Sequence, residues 1–136
     1  AETDPTSDVE GWDSAIKAAI MANVFFGAKI KVTGVVRQGI TKITKEDIVE
    51  ANKEGKRIKL IAEVRKEGDG VYASVSPVAI SKSHVLGSVM GPINAVTFAT
   101  DHLGEVTIIG PGAGRIETGQ ALLSDILAIH RCYVCK

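Results

Sequence analysis

The amino-acid sequence predicts an α+β fold of the α/β type, in which a mixed β-sheet carries helices on one face. Strand-like runs with apolar residues at alternate positions are interspersed with runs of helical spacing. A helical run separates the strand-like runs 28–36 and 57–65, and this order favours a right-handed, parallel crossover. Residues 67–70 then form a glycine-containing turn, so the run 71–80 should return antiparallel. A sheet with both kinds of pairing is mixed.

Length and composition predict one soluble domain spanning residues 1–136. Of the 136 residues 45% are hydrophobic, which is enough for one core. Sixteen Lys and Arg balance sixteen Asp and Glu, and the few aromatic residues form no stacking array, so nucleic acid is not an expected partner. The longest apolar run, 18–26, is far shorter than the ~20 residues that cross a bilayer. We therefore expect no membrane partner.

The ends of the sequence carry no recognisable secretory leader, and only two Cys occur, both near the last residue. We therefore expect a cytoplasmic protein. The chain opens with Ala rather than Met and enters patterned sequence at once, so we expect it to be a fragment of a longer chain.

A first helix is predicted over residues 8–26. Ser7 and Glu10 have the spacing of a capping box, and Gly27 stands where helices commonly end. Gly11 in the first turns costs about 1 kcal/mol relative to Ala. Two explanations stay open: something approaches the backbone at Gly11, or the helix simply starts later.

The middle of the chain predicts a strand, a helix and a hairpin. The run 28–36 has the alternation of a strand, and the helix that follows has Thr44 as its N-cap and Gly55 at its end. The runs 57–65 and 71–80 form the hairpin. Pro77 confines the end of its second strand to a sheet edge or a bulge.

The last third of the chain predicts a loop at 83–92 that contains one helical turn, followed by a second hairpin from the runs 93–100 and 105–109. A glycine-rich loop at 110–115 then leads into an amphipathic helix. Glycines before a helix N-terminus favour close contact with an anion. The apolar stripe of this helix consists of Leu122, Leu123, Ile126, Leu127 and Ile129.

The acidic opening of the chain is the leading candidate for a functional site. Five carboxylates precede the first basic residue, Lys17, and on a helix Asp13 and Lys17 share one face. An exposed pair of this kind contributes only ~0.2 to 0.5 kcal/mol as a structural feature. The functional alternative is an ammonium group that a carboxylate positions to protonate or polarise a developing oxyanion. Spacing alone favours the structural pair.

Three of the remaining acids of the opening, Glu2, Asp4 and Asp8, allow four interpretations. They could be a solvated leader, stabilise the positive helix start, receive a substrate ammonium group, or bind a hard cation such as Ca²⁺. On their spacing alone, the solvated leader is the simplest of these.

Other candidate motifs are weaker. The glycine-rich loop matches neither GxGxxG nor a P-loop, so a tight turn and ligand contact both stay open. His130, Cys132 and Cys135 are potential soft ligands, but a single Cys-x-x-Cys is a weak pattern for zinc or redox chemistry, and we predict no metal site. His84 and His102 have no nucleophile at a recognisable spacing, and we assign them no role.

Three blocks of the sequence together resemble the C-terminal catalytic domain of homoserine dehydrogenase. The first runs from residues 1–5 through Asp8, Gly11, Asp13 and Lys17, the second is 91–96, and the third is 110–114 with Asp125 in the last helix. The likeness covers essentially the whole chain. Its most specific part is the acidic spacing that leads into Asp13 and Lys17.

The resemblance implies a fold like that catalytic domain and an NAD- or NADP-dependent interconversion of L-aspartate 4-semialdehyde and L-homoserine, a step toward threonine, methionine and isoleucine. By position it makes Lys17 the proton donor to the aldehyde oxygen and Asp13 the residue that orients Lys17. The substrate would be bound by Glu2, Asp8 and Asp13, and Gly114 would touch the cofactor. The resemblance also implies a homodimer.

The sequence departs from the family in lacking a strand followed by GxGxxG, the fingerprint of the dinucleotide-binding half, and a substrate-facing lysine from that half. We therefore expect the isolated chain to lack hydride-transfer activity. The alternative function is a noncatalytic amino-acid-binding or dimerisation module of the same fold.

Overall fold

The computed structural model describes residues 4–133, which form two compact units that divide between Lys82 and Ser83. The helices are α1 (Thr6–Val9), α2 (Trp12–Phe26), α3 (Lys45–Lys53), α4 (Val85–Ser88) and α5 (Arg115–Tyr133). The strands are β1 (Val36–Arg37), β2 (Lys56–Glu67), β3 (Gly70–Ser81), β4 (Ile93–Thr100) and β5 (Gly104–Pro111). The expectation of one domain over residues 1–136 stays a prediction.

The first unit contains a three-stranded mixed sheet with the strand order β1-β3-β2. The β2–β3 hairpin pairs along its whole length, from Lys56 opposite Ser81 to Glu67 opposite Gly70. Strand β1 pairs parallel with β3. The predicted fold class and mixed sheet are confirmed, but the predicted parallel pairing of the first strand with 57–65 is wrong. Because β3 lies between them and is antiparallel to β2, β1 and β2 run in opposite directions.

The predicted strand at 28–36 is also largely wrong, because only Val36–Arg37 pairs, and a 3₁₀ turn occupies Val32–Gly34. The Asn23 side chain donates to the Ile30 carbonyl at 3.0 Å and accepts from the Ile30 amide at 2.9 Å. These bonds satisfy the backbone groups that a strand ladder would need. Ile30 and Val32 pack against the core, so their alternation reflects one-sided burial and not strand pairing.

The core of this unit is an interface between α2 and the sheet. Helix α2 buries a face of small residues, Ala15, Ala18, Ala19 and Ala22. Ala73 and Val75 of β3 belong to the same buried cluster as the first three of these. Small side chains let the helix backbone approach the sheet closely, which fixes the distance of α2 from the strands.

The predicted continuous helix over 8–26 is wrong, because the chain breaks at Gly11. Gly11 has a φ of +79°, in the left-handed region, and α2 begins at the next residue. The capping box predicted for Ser7 and Glu10 does not form, since Ser7 lies inside α1 and Pro5 is the N-cap residue. The alternative that the main helix starts later is confirmed, and so is its end at Gly27, where φ is +62°.

The second helix and the hairpin of this unit follow the sequence prediction. Thr44 caps α3 in a reciprocal arrangement with Asp47, and Gly55 follows the helix with a φ of +69°. Pro77 pairs with Leu60, but β1 covers only Ser74 and Val75 of β3. Pro77 therefore lies where β3 has an open edge, as predicted, and its missing N–H costs no ladder bond there.

The second unit contains α4, the β4–β5 hairpin and α5. The helical turn predicted within 83–92 is α4, and the predicted hairpin is confirmed with Ile93 opposite Pro111 and Thr100 opposite Gly104. This hairpin is a separate two-stranded sheet. All the residues of α5 are exposed, including the predicted apolar stripe, whose side chains are between 43% and 61% exposed.

Candidate active site

The acid–lysine pair lies in the first two turns of α2. The Lys17 Nζ is 2.6 Å from the Asp13 Oδ2, and both side chains face solvent, at 59% and 47% exposure. The prediction that these residues share one helix face is confirmed. Because the ammonium group has three donors and Asp13 takes one, Lys17 retains donors for an oxygen of a bound molecule. Because an exposed ion pair contributes little to the stability of the fold, the chemistry that this pair can perform is of more interest than its structural contribution.

The other predicted substrate-binding acids lie in or before α1. Asp8 is an exposed residue of α1, and its backbone carbonyl accepts a bond from the Gly11 amide at 3.0 Å. Asp8 and Asp13 are thus on consecutive helices that meet at Gly11. Glu2 lies outside the described residues. Asp4 accepts hydrogen bonds from the Thr6 hydroxyl and amide, which lower the pKa of its carboxyl group, so this acid is engaged in a local turn.

A cluster that the sequence did not predict surrounds the junction of α1 and α2. The Arg37 guanidinium donates to the backbone carbonyl of Glu10 and stacks on the Trp12 ring, 3.8 Å from its centroid. The Glu10 carboxylate accepts from the Trp12 Nε1 at 3.1 Å and lies 3.9 Å from the Arg37 Nη1. No local pattern links Arg37 to Glu10, 27 positions earlier in the chain, so this cluster could not be predicted from the sequence.

Gly39 brings a second chain segment against the same junction. A Cβ atom at Gly39 would lie 2.5 Å from the Val9 carbonyl oxygen, so only glycine allows this approach. The Ile40 amide donates to that same oxygen at 2.8 Å. The end of α1 is therefore hydrogen-bonded to the segment that follows β1.

The glycine loop of the second unit has a conformation that requires glycine. Gly114 has a φ of +152°, and a Cβ atom there would collide with the Glu117 carboxylate. A Cβ atom at Gly112 would collide with the Asn94 side chain. Bare backbone at the start of α5 permits close contact with a flat group, but the carboxylate of Glu117 opposes a phosphate beside Gly114. The loop therefore suits an uncharged or cationic group better than the anion considered from sequence.

The remaining motif residues take no part in a recognisable site. His84 caps α4, where its Nδ1 accepts from the Leu86 amide at 3.1 Å. His102 lies in the turn of the second hairpin, His130 and Cys132 are exposed on α5, and Cys135 lies outside the described residues. Across residues 4–133, no group of His, Cys, Asp and Glu is arranged to hold a metal ion. Within that range no helix is long and apolar enough to span a membrane.

Comparison with known proteins matches residues 1–127 to the model of the homoserine dehydrogenase family. The NAD(+)-dependent homoserine dehydrogenase of Pseudomonas canavaninivorans is 46% identical over 132 residues, which are 96% of this chain and 38% of that protein. The homoserine dehydrogenase of Methanocaldococcus jannaschii is 43% identical over 96% of this chain and 37% of its own length.

Solved structures give the same result. A crystal structure of Staphylococcus aureus homoserine dehydrogenase has a TM-score of 0.89 and 41% identity, and the match covers 98% of this chain and 34% of that one. A hyperthermophilic archaeal homoserine dehydrogenase in complex with NADPH has a TM-score of 0.74 at 31% identity, over 93% of this chain and 34% of that one. The chain thus spans about a third of the length of the proteins it matches.

Proposed function

The chain belongs to the homoserine dehydrogenase family, and we propose that it is the C-terminal catalytic portion of an enzyme that interconverts L-aspartate 4-semialdehyde and L-homoserine. The observation that carries this proposal is the Asp13–Lys17 pair at 2.6 Å on an open helix face, in a chain that matches the family over residues 1–127. The reaction belongs to threonine, methionine and isoleucine biosynthesis in the cytoplasm.

Lys17 is the proton donor. As the aldehyde carbon is reduced, negative charge develops on its oxygen, and the Lys17 Nζ supplies the proton that makes the hydroxyl group of homoserine. In the reverse direction the neutral amine accepts that proton. A positioned acid of this kind accelerates a reaction by about 10² to 10⁴-fold.

Asp13 has two functions, to orient Lys17 and to bind the substrate. Its Oδ2 holds the Lys17 ammonium group, which leaves its Oδ1 available to the amino group of the substrate. Asp8, on α1, and Glu2 supply further carboxylates for that cationic group. Because the substrate carries one ammonium group, several acids around it also favour its binding over that of an uncharged aldehyde.

The cofactor is NAD or NADP, and it supplies the hydride when bound. In this chain Gly114 is the residue that contacts it. Gly114 has a φ of +152°, a backbone conformation that favours glycine, and the absence of a side chain there supports a backbone contact with the cofactor. Most of the cofactor surface is bound by the remainder of the protein, in which we place the dinucleotide-binding domain, and the enzyme is a homodimer.

The test is Lys17→Ala in the full-length protein, with Lys56→Ala as the matched control. Lys56 makes an exposed ion pair with Glu54 at 2.7 Å, close to the distance in the Asp13–Lys17 pair, but it lies in β2 and not in α2. We expect Lys17→Ala to lower kcat for aspartate semialdehyde by about 10² to 10⁴-fold and Lys56→Ala to leave it unchanged. A Lys17→Ala enzyme with near wild-type kcat contradicts the role of Lys17.

Calorimetry of the isolated chain of 136 residues distinguishes the proposed catalytic portion from the alternative, a noncatalytic module of the same fold. Tight binding of homoserine without any nicotinamide cofactor supports the module. Negligible affinity supports a catalytic portion whose site is completed by the remainder of the protein.

A further inference from the structure

We propose that Arg37 is a positioning residue for this reaction: it clamps the turn between α1 and α2 and so fixes the helix start that presents Asp13 and Lys17. The inference rests on the proposed function, because it concerns the residues to which that function assigns chemistry.

The turn needs a partner from elsewhere in the chain. Gly11 adopts a φ of +79°, and no side chain caps the start of α2. Glycine has the greatest backbone freedom in the unfolded chain, so a single glycine hinge next to a functional helix turn is a point of looseness unless other contacts hold it. Gly11 itself is buried, and the side chains of Val75, Leu60 and Arg37 lie next to its Cα atom.

Arg37 contacts the residues on both sides of this hinge. Its guanidinium donates to the carbonyl of Glu10, before Gly11, and stacks on the ring of Trp12, after Gly11. The Glu10 carboxylate joins the two by accepting from the Trp12 Nε1. The Arg37 side chain is only 24% exposed, so these charged contacts are less screened than those of a surface pair.

Arg37 is itself anchored to the sheet. It lies in β1 opposite Val75, one of the buried residues of the core, and the next amide, that of Gln38, donates to the Val75 carbonyl at 2.8 Å. Just beyond, Gly39 and Ile40 hold the end of α1 through the Val9 carbonyl. Arg37 therefore connects the hinge to the buried core of the unit. We call residues 10, 12 and 37 the clamp.

Loss of the clamp should disturb the first turn of α2 and leave its body in place. Trp12 immediately precedes Asp13, whereas the later turns are held by the buried alanine face against β3. A displacement of about 1 Å at a reacting group can cost 10²-fold in rate. Loss of the clamp should therefore lower kcat/KM for the amino-acid substrate and should affect neither folding nor binding of the cofactor.

The test uses the full-length protein with Arg37→Met, Arg37→Lys and the control Arg65→Met. Arg65 also stacks on an aromatic ring, 4.1 Å from the Tyr72 centroid, and pairs with two glutamates, but near the turn of the β2–β3 hairpin. We expect Arg37→Met to lower kcat/KM for aspartate semialdehyde by about 10- to 100-fold and to leave the KM for the cofactor unchanged. Arg37→Lys, which keeps the charge but not the planar group, should recover part of the loss, and Arg65→Met should match the wild type.

Hydrogen exchange measured by mass spectrometry gives a readout that does not depend on turnover. Peptides covering residues 8–18 should exchange faster in Arg37→Met than in Arg65→Met, while peptides from β3 do not change. A kcat/KM for Arg37→Met equal to that of Arg65→Met overturns the proposal. If the full-length wild type does not reduce aspartate semialdehyde, the proposed function fails, and hydrogen exchange alone tests the clamp. Faster exchange of residues 8–18 in Arg37→Met than in Arg65→Met then supports the clamp, and equal exchange overturns it.

If Arg37→Met does not fold, Trp12→Phe replaces it. This variant keeps an aromatic ring but loses the donor to Glu10. It should lower the same kcat/KM by about 2- to 10-fold, the effect of one hydrogen bond. An unchanged value overturns the proposal.

Discussion

At the scale of the residue, Asp13 has both a structural function in helix α2 and a function in the proposed chemistry. It stands in the first turn of α2, where a carboxylate stabilises the positive end of the helix, and it holds the Lys17 ammonium group. Any ordinary surface helix could contain such a pair. What distinguishes this one is its place beside a glycine hinge, which the clamp connects to the core.

Substitution of Asp13 should affect substrate binding and lysine orientation together. We expect Asp13→Asn in the full-length enzyme to lower kcat/KM for aspartate semialdehyde more than it lowers kcat, since an amide can neither hold the ammonium group of the substrate nor orient Lys17 as well. Steady-state kinetics at saturating cofactor measure this. Glu54→Gln, which weakens the comparable Lys56 pair, is the control, and kinetics of Asp13→Asn equal to those of this control would remove Asp13 from the site.

At the scale of the element, the helix starts divide into those with local causes and those without. The start of α3 is fully local: the Thr44 side chain accepts from the Asp47 amide at 3.1 Å, and the Asp47 carboxylate accepts from the Thr44 amide at 2.8 Å. The start of α2 has no side-chain cap and is set by contacts from β1. The first was therefore predictable from a few consecutive residues and the second was not.

The capping box at α3 predicts a pH-dependent contribution to stability. Thr44→Ala should lower the free energy of unfolding by about 1 kcal/mol at neutral pH. The hydrogen bonds from Thr44 lower the pKa of Asp47 below its ordinary value of 3.8. Because the folded-state pKa is the lower one, this stabilisation is present above the unfolded-state pKa and is lost as the pH falls through the folded-state pKa.

Urea unfolding of wild type and Thr44→Ala at neutral pH and below pH 3.8 measures this effect. The difference between the two proteins should shrink at the lower pH. Thr41→Ala, at an exposed threonine shortly before the cap, is the control and should show no such change. A difference for Thr44→Ala that is the same at both pH values would show that Asp47 does not take part in the cap.

At the scale of the whole molecule, the residues to which we assign chemistry are divided between the two compact units of the described chain. The acid–lysine pair belongs to the first unit and the glycine loop to the second, and the chain spans about a third of the length of its relatives. Helix α5 has apolar side chains but no buried residue. Both properties are consistent with a catalytic portion that functions within a longer protein.

The isolated chain, without the remainder of the protein, should therefore neither bind the cofactor measurably nor reduce aspartate semialdehyde. Its glycine loop matches no nucleotide fingerprint and offers only a short stretch of bare backbone. Calorimetry with NAD and with NADP, beside the full-length protein as a positive control, measures the affinity. Turnover by the chain alone would contradict the assignment of the cofactor site to the remainder of the protein.

Much of the fold was determined locally and could be predicted from sequence. The i and i+4 spacing placed Asp13 and Lys17 on one face, Thr44 and Gly55 bounded α3, and glycine-containing turns closed both hairpins. Each of these depends on residues a few positions apart, so the chain itself brings the interacting groups together. The family resemblance then supplied the chemistry proposed for them.

Only the tertiary structure decided the rest. The alternation at 28–36 could not show that the Asn23 side chain satisfies the Ile30 backbone, nor that β1 joins the sheet beside β3. The clamp joins Arg37 to residues 10 and 12, far away along the chain. Such contacts form because packing the alanine face of α2 on β3 brings distant segments together, and no short sequence pattern encodes which segments those are.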